Sequence, residues 1–210
     1  FEGTIDSGKM VRAFQELAAG EGVQFLMNTE VLEVGEAGGS QIVEVKTGQR
    51  SLQLRAEQVA LCTNAFSGKF APSEDVVPGR GMVLVSKPVQ GFGLDGSFHY
   101  HNGYHYFRSV GNRLLLGGGR QLDLEGETTL EEGLNEKIYG QLVRDMDELI
   151  APGLGLEVDY AWSGTMAFGG NGRPVVKRLA SGLAGAFRLG GMGVALGTQV
   201  GKELATILEG

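Results

Sequence analysis

Three stretches of the chain repeat apolar residues at helical spacing. In the first, Met10, Phe14 and Leu17 share a face, Asp6 or Ser7 stands where an N-cap belongs, and Gly20 and Gly22 end the run. A helix through about Ala19, with those three residues buried, is predicted. In the second, Leu130, Leu134, Ile138, Leu142 and Met146 predict a helix over 128–149. In the third, Val200, Leu204, Ile207 and Leu208 predict a C-terminal helix. Residues 23–25, 30–34, 41–46, 50–54, 58–62, 158–168, 174–177 and 187–189 alternate or run apolar in short blocks and read as strands. A loop falls at 35–40, and 63–67 reads as a turn or short helix start. After the prolines of 72–78, a more strand-rich section runs over 79–120. The class expected is α+β, without internal repeats.

Two tight-turn signals, Asn102-Gly103 and Gly111-Asn112, lie between aromatic and aliphatic runs. If Asn102-Gly103 is a two-residue turn, His101 pairs with Tyr104, His99 with Tyr106, and Ser97 with Arg108. Paired residues share a face. One face then carries Ser97, His99, His101, Tyr104, Tyr106 and Arg108; the other carries Phe98, Tyr100, His105 and Phe107. The second turn sets Gly117 opposite Tyr106 and Gly119 opposite Tyr104, with Leu116 beside Phe107. Donors on a rigid sheet, with glycine clearance in front of them, suit a substrate pocket wall. The three histidines invite a metal reading, but His105 points away from the other two and no nearby acidic residue completes a set. Aromatic, hydrogen-bonding strand residues are the preferred account, and no metal site is expected.

Between the last strand and the last helix stands Leu189-Gly190-Gly191-Met192-Gly193-Val194-Ala195-Leu196-Gly197-Thr198. A glycine turn that opens a helix aims unpaired N–H groups and the positive end of the helix dipole at an electron-rich ligand. Close packing alone is the other account of the same glycines. Glycine makes up 36 of 210 residues, far above the usual share of about 7%, and no G-X-Y period explains it.

Composition narrows the picture further. A net charge of −7 argues against binding nucleic acid or an anionic membrane by bulk electrostatics. No apolar stretch is long enough to span a bilayer, and no signal peptide is legible. The one cysteine, Cys62, forms no internal disulfide, suits a reducing, cytoplasmic compartment, and reads as a small core hydrophobe. GxSxG, P-loop and CxxC patterns are missing, and Gly191, Gly193 and Gly197 form only GxGxxxG. Glu125, Glu127, Glu131 and Glu132 read as a solvated loop and helix start. The chain begins at Phe1 without an initiator Met, as an excised piece of something longer would.

Seven motifs in order carry a family resemblance: Glu2-Gly3-Thr4-Ile5-Asp6, Leu61-Cys62-Thr63-Asn64-Ala65, Pro78-Gly79-Arg80-Gly81-Met82, Tyr106-Phe107-Arg108, Leu116-Gly117-Gly118-Gly119-Arg120, Trp162-Ser163-Gly164 and Gly190-Gly191-Met192-Gly193. Together they resemble the D-amino-acid oxidase/glycine oxidase family of FAD-dependent oxidoreductases over nearly the whole chain. The resemblance implies an α/β parent fold in which a mixed-sheet substrate domain interrupts an FAD-binding domain. The divisions expected are 1–71 for part of the FAD domain, 72–160 for the substrate domain and 161–210 for the return segment. The opening βαβ unit with GxGxxG is not in this sequence, so these residues alone are expected to hold FAD loosely and to be inactive.

By the same resemblance, Val31 lies toward the adenine and Thr63, Asn64, Ala65 and Arg80 near the cofactor. Gly190, Gly191, Met192, Gly193, Val194, Ala195, Gly197 and Thr198 face the isoalloxazine ring. Tyr106, Arg108, His99, Tyr104 and Met166 are the substrate-side candidates. The implied chemistry is hydride removal from an amine-bearing carbon, which requires no catalytic acid or base from this chain. Where the family carries an arginine for the substrate carboxylate, this chain has Met166. Either Arg108 takes that role, or the substrate is an amine without an α-carboxylate. A flavin-free binding module or degenerate remnant is the competing reading, and the oligomeric state stays open.

Overall fold

The computed structural model describes residues 3–210; Phe1 and Glu2, which opens the first motif, lie outside the described residues. In chain order the elements are α1 (Ser7–Gly20), β1 (Thr29–Ala37), β2 (Ser40–Thr47), β3 (Arg50–Ala56), β4 (Val59–Leu61), β5 (Val77–Ser86), β6 (Ser97–Tyr100), β7 (His105–Val110), β8 (Arg113–Gly118), α2 (Glu136–Arg144), β9 (Val158–Phe168), β10 (Val175–Ala180), β11 (Leu183–Phe187) and α3 (Gly193–Glu209). Short 3-10 turns cover Asn64–Lys69 and Arg120–Leu122, and a π turn, Asp145–Ile150, extends α2. The mixture is α+β. None of these helices is long and apolar enough to cross a membrane. The chain divides into two compact units, one built on Val77–Met166 and the other on Ile5–Val76 with Ala167–Gly210.

The unit built on Ile5–Val76 and Ala167–Gly210 begins with α1, capped as expected: Asp6 Oδ1 accepts from Lys9 N at 3.0 Å. Its apolar stripe is not buried. Phe14 and Leu17 are 47% and 68% exposed, and no residue of α1 is fully buried. An amphipathic stripe records a need for a partner face, which local sequence cannot supply. Residues 23–25, read as a strand, are irregular after the turn at Gly22 (φ 89°). The antiparallel meander β1-β2-β3 follows.

A second sheet runs β10-β11-β4, with β4 parallel to β11 and Leu61 beside Gly185. Phe187 is fully buried against Leu61, Ala71 and Val175. Val200 and Leu204 of α3 pack on Ala184 and Ala186 of β11, the face that their spacing predicted. Cys62, read as a core residue, is exposed just past the end of β4.

The unit built on Val77–Met166 is a five-stranded sheet, β6-β7-β8-β5-β9. Met82, Leu84, Leu114 and Leu116 cover one face and pack on Ile138, Leu142 and Met146. Each buried Leu or Ile contributes roughly 1.5–3 kcal/mol by leaving water. The expected pairs Ser97–Arg108, His99–Tyr106 and Tyr106–Gly117 all form. The first turn differs. Tyr100 pairs with His105, so 101–104 is a four-residue loop with His101, Asn102 and Gly103 all left-handed (φ 49°, 55° and 83°). Three such residues rotate His101 off the Tyr106 face, and its ring packs instead on Tyr100 and His105, at 5.1 and 5.2 Å between centroids.

The helix predicted over 128–149 starts only at Glu136. Gly133 sits at φ 145°, which no helix accommodates, and Asn135 Oδ1 caps α2 by accepting from Lys137 N and Ile138 N. Leu130 and Leu134 are therefore exposed while Ile138 and Leu142 are buried. Glu127 corrects a second expectation: it is 1% exposed and forms a two-pronged ion pair with Arg80, at 2.8 and 3.1 Å. Asn135 Nδ2 donates to the same carboxylate, so the buried charge is matched on both oxygens.

Candidate functional site

Two surfaces carry the residues singled out in the sequence, one in each unit. The first is the face of the five-stranded sheet opposite α2. The Tyr106 ring leans from β7 over β8, where a Cβ at Gly117 would lie 2.5 Å from its Oη. Met166 leans from β9 over β5 in the same way, and a Cβ at Gly81 would lie 2.8 Å from its Cε. Val83 pairs with Gly117, and 81, 83 and 85 share one face by the strand period. A phenol and a thioether thus lie over a floor of two glycines and a valine.

Partial burial pushes the Tyr106 phenol's pKa up, although 37% of the residue stays open to solvent. Arg108, paired with Ser97 and Leu115, is half-buried, and none of the ion pairs among the described residues uses it. His99 lies beside Tyr106, at 6.3 Å between rings. Tyr104 is exposed in the hairpin loop, and its carbonyl accepts from Gly119 N.

The second surface is the turn into α3. Gly190 is left-handed (φ 57°), its N–H donates to Ala167 O at 2.8 Å, and Met192 N donates to Leu189 O. Met192 occupies the N-cap without a side-chain cap bond, and the N–H groups of Gly193 and Val194 open α3 without an intrahelical acceptor. A Cβ at Gly191 or Gly197 would meet nothing within 4 Å, so the backbone there is open to a ligand. Gly193, Val194, Gly197 and Thr198, with Met10 and Phe14 of α1, line an apolar cleft of about 350 Å³. Met192 and Val194 are exposed, and Ala195 N donates to Met192 O inside the first turn.

The remaining cofactor-side candidates have structural partners. Val31 O accepts from Lys69 Nζ at 3.1 Å, Thr63 shares a 2.9 Å hydrogen bond with Ser67, and Ala65 is buried. Asn64 Oδ1 accepts from both Arg188 N and Leu189 N. Arg80 commits its guanidinium to Glu127 and Glu131 O.

Two polar clusters escaped the sequence reading. On the α2 side of the five-stranded sheet, Tyr100 Oη donates to Asp145 Oδ2 at 2.7 Å, His105 Nδ1 lies 2.8 Å from Tyr100 Oη, and His105 Nε2 lies 2.7 Å from Gln121 Nε2. One neutral tautomer satisfies all three: Nδ1–H donates to Tyr100 and Nε2 accepts from Gln121. Burial lowers the His105 pKa despite the Asp145 carboxylate, and it raises that of the Tyr100 phenol. The alternation of 98, 100, 105 and 107 was the available signal, but nothing local announced Asp145. The other cluster surrounds Arg188, whose strand-end position gave no hint of burial. Among the described residues, no group of three His, Cys, Asp or Glu is placed to hold a metal.

The sequence profile of the FAD dependent oxidoreductase family (DAO) matches residues 2–207. No curated protein matches in sequence. Among solved structures, glycine oxidase from Bacillus cereus ATCC 14579 is similar at a TM-score of 0.76 and 16% identity, over 94% of this chain and 54% of that one. L-proline dehydrogenase from P. horikoshii is similar at 0.78 and 16%, over 97% and 55%. Iminodiacetate oxidase from Chelativorans sp. BNC1 is similar at 0.77 and 18%, over 96% and 55%. The chain spans about half the length of these structures. The seven ordered motifs, the glycine turn into α3 and the profile match agree, and the chain belongs to the FAD dependent oxidoreductase family.

Proposed function

We propose that this chain forms part of an enzyme that oxidises the C–N bond of an amine or amino acid, with hydride transfer to FAD. The observation that carries the reading is the turn into α3: an uncapped helix N-terminus, open backbone at Gly191 and Gly197, and an apolar cleft beside them. Those features fit the edge of a flat, electron-rich ring, which needs N–H donors at its rim and apolar contact with its plane. When bound there, FAD supplies the two-electron acceptor. Gly191, Met192, Gly193 and Val194 present backbone, and the N–H groups opening α3 favour negative charge on the reduced ring.

In the five-stranded sheet, Tyr106 and Arg108 offer donors on one face, and the glycines at 81 and 117 leave room for a small molecule. Arg108 holds a carboxylate where the substrate has one. Met166 and Val83 make an apolar wall that suits an alkyl amine. The solved structures include a glycine oxidase, a proline dehydrogenase and an iminodiacetate oxidase, which favours a small nitrogen-bearing substrate. Residues 1–210 by themselves are proposed to be inactive and to hold FAD weakly, since nothing described in them cradles a pyrophosphate. The one cysteine favours a reducing, cytoplasmic compartment.

The test is the visible spectrum of the full-length native protein under anaerobic conditions. Bleaching of a flavin spectrum by one member of a panel of amines and amino acids is the expected result, and it identifies the substrate class. A protein that stays colourless with added FAD overturns the reading in favour of a flavin-free binding module.

A further inference from the structure

We propose that Asn64 and Arg188 are positioning residues that together hold the glycine turn 190–193 in register for its ligand, an inference that rests on the flavin reading above. Because β4 and β11 are parallel and Leu61 pairs with Gly185, both chains leave the sheet at the same end. Ligands of open α/β sheets gather outside that carboxyl end. Three residues beyond the pair, each chain places one non-glycine residue in the left-handed region: Asn64 at φ 45° and Arg188 at φ 65°. Asn tolerates that region; Arg rarely adopts it without being held there.

What holds Arg188 is visible at both ends of the residue. At its backbone, Asn64 Oδ1 accepts from Arg188 N at 3.1 Å and from Leu189 N at 3.2 Å, so one side chain ties two consecutive peptides. At its tip, Nε donates to Arg173 O, Nη1 to Asp75 O and Nη2 to Asn171 Oδ1, at 2.8 to 2.9 Å. Asp75 Oδ2 lies 3.5 Å from the guanidinium and also accepts from Gly170 N at 2.7 Å. The residue is buried, and a Cβ at Gly169 would come within 2.6 Å of it. Every guanidinium nitrogen is used internally, so Arg188 does not reach a ligand itself. It anchors the backbone from which Leu189 and the left-handed Gly190 continue, and Ala167 O fixes Gly190 N.

The N–H groups of 188, 189 and 190 are thus tied before the turn reaches Gly191, where the open backbone begins. A ring bound against that backbone depends on its placement to within a fraction of an ångström, as preorganised sites do. Neither side chain needs to touch the ligand for its loss to be felt.

Asn64→Gly separates positioning from folding, because glycine adopts φ 45° freely while deleting the acceptor. Asn64→Asp keeps an acceptor oxygen and serves as the conservative rescue. In the full-length protein, Asn64→Gly is expected to weaken FAD binding at least tenfold by flavin fluorescence and to shift the flavin reduction potential. It should also speed amide exchange at 190–194 and leave the unfolding of the flavin-free protein close to that of the parent. Asn64→Asp should retain the parental values. Parental FAD affinity and exchange in Asn64→Gly overturn the proposal, as does an Asn64→Asp variant that fails alongside it. A parent protein that binds no FAD refutes the flavin reading instead. The exchange comparison then decides the clamp separately: unaltered exchange at 190–194 overturns it, and faster exchange confirms it.

Discussion

Tyr106 and Gly117 face each other across β7 and β8 so closely that a Cβ at 117 would lie 2.5 Å from the Tyr106 Oη and Cζ. The glycine is there because the ring is. Gly117→Ala should swing the phenol off the sheet at little cost to stability, because the obstructing atoms end a movable side chain. The KM of the full-length enzyme should rise about tenfold, equivalent to about 1.4 kcal/mol. Because both changes act on the same ring, Tyr106→Ala with Gly117→Ala should behave like Tyr106→Ala alone. Additive effects in that double variant would show that Gly117 serves something else.

Arg108 shares the sheet face with Tyr106 and takes part in none of the described ion pairs. Arg108→Ala should weaken binding of a carboxylate-bearing substrate by roughly 2–5 kcal/mol, toward the lower end because the side chain is only half-buried. An amine without a carboxylate should be unaffected. Steady-state KM values for a matched pair of substrates check this; an unchanged KM for the carboxylate removes Arg108 from the role.

His105 gives stability a pH dependence of defined sign. Burial holds its folded pKa below the unfolded value of 6.5, so the unfolded chain takes up the proton first as pH falls. The contribution of the neutral imidazole is complete above about pH 6.5. It declines as pH falls below that value toward the folded pKa, at no more than about 1.4 kcal/mol per pH unit. Asp145, the opposing influence, moderates the loss. His105→Gln removes the titration. Urea midpoints at pH 7.5 and 5.5 should differ less in that variant than in the parent, and equal differences would contradict the assignment.

Val11, Phe14 and Leu17 of α1 are 50%, 47% and 68% exposed on one 14-residue helix. An apolar stripe of this kind favours association with another apolar surface. Prepared as an isolated polypeptide, residues 1–210 should self-associate and bind a hydrophobic dye. Phe14→Glu with Leu17→Glu should reduce both. Analytical ultracentrifugation is the check, and a monomeric parent would show that the stripe is tolerated in water.

How much was legible in the sequence follows from the range of the forces involved. Hairpin register is local: turn residues and alternation fix which side chains share a face, and the Ser97–Arg108, His99–Tyr106 and Tyr106–Gly117 pairs formed as derived. The cap at Asp6 and the buried face of α3 are local for the same reason. The helix expected from Thr128 was lost to one backbone angle at Gly133, which periodicity does not register. Glu127 was misread because its partner Arg80 lies 47 residues away, and a charge reads as solvated until its counterion is known.

The chain by itself therefore determined most of its strands, two of its three α-helices, the sheet face that Tyr106 and Arg108 share, and the family to which it belongs. Only the tertiary structure decided which polar groups are buried together. Tyr100 finds Asp145 because α2 packs on that face of the five-stranded sheet, and Asn64 finds Arg188 across 124 residues because the parallel strands β4 and β11 leave their sheet at the same end. Hydrogen bonds act over about 3 Å, and sequence distance carries no information about which groups come that close.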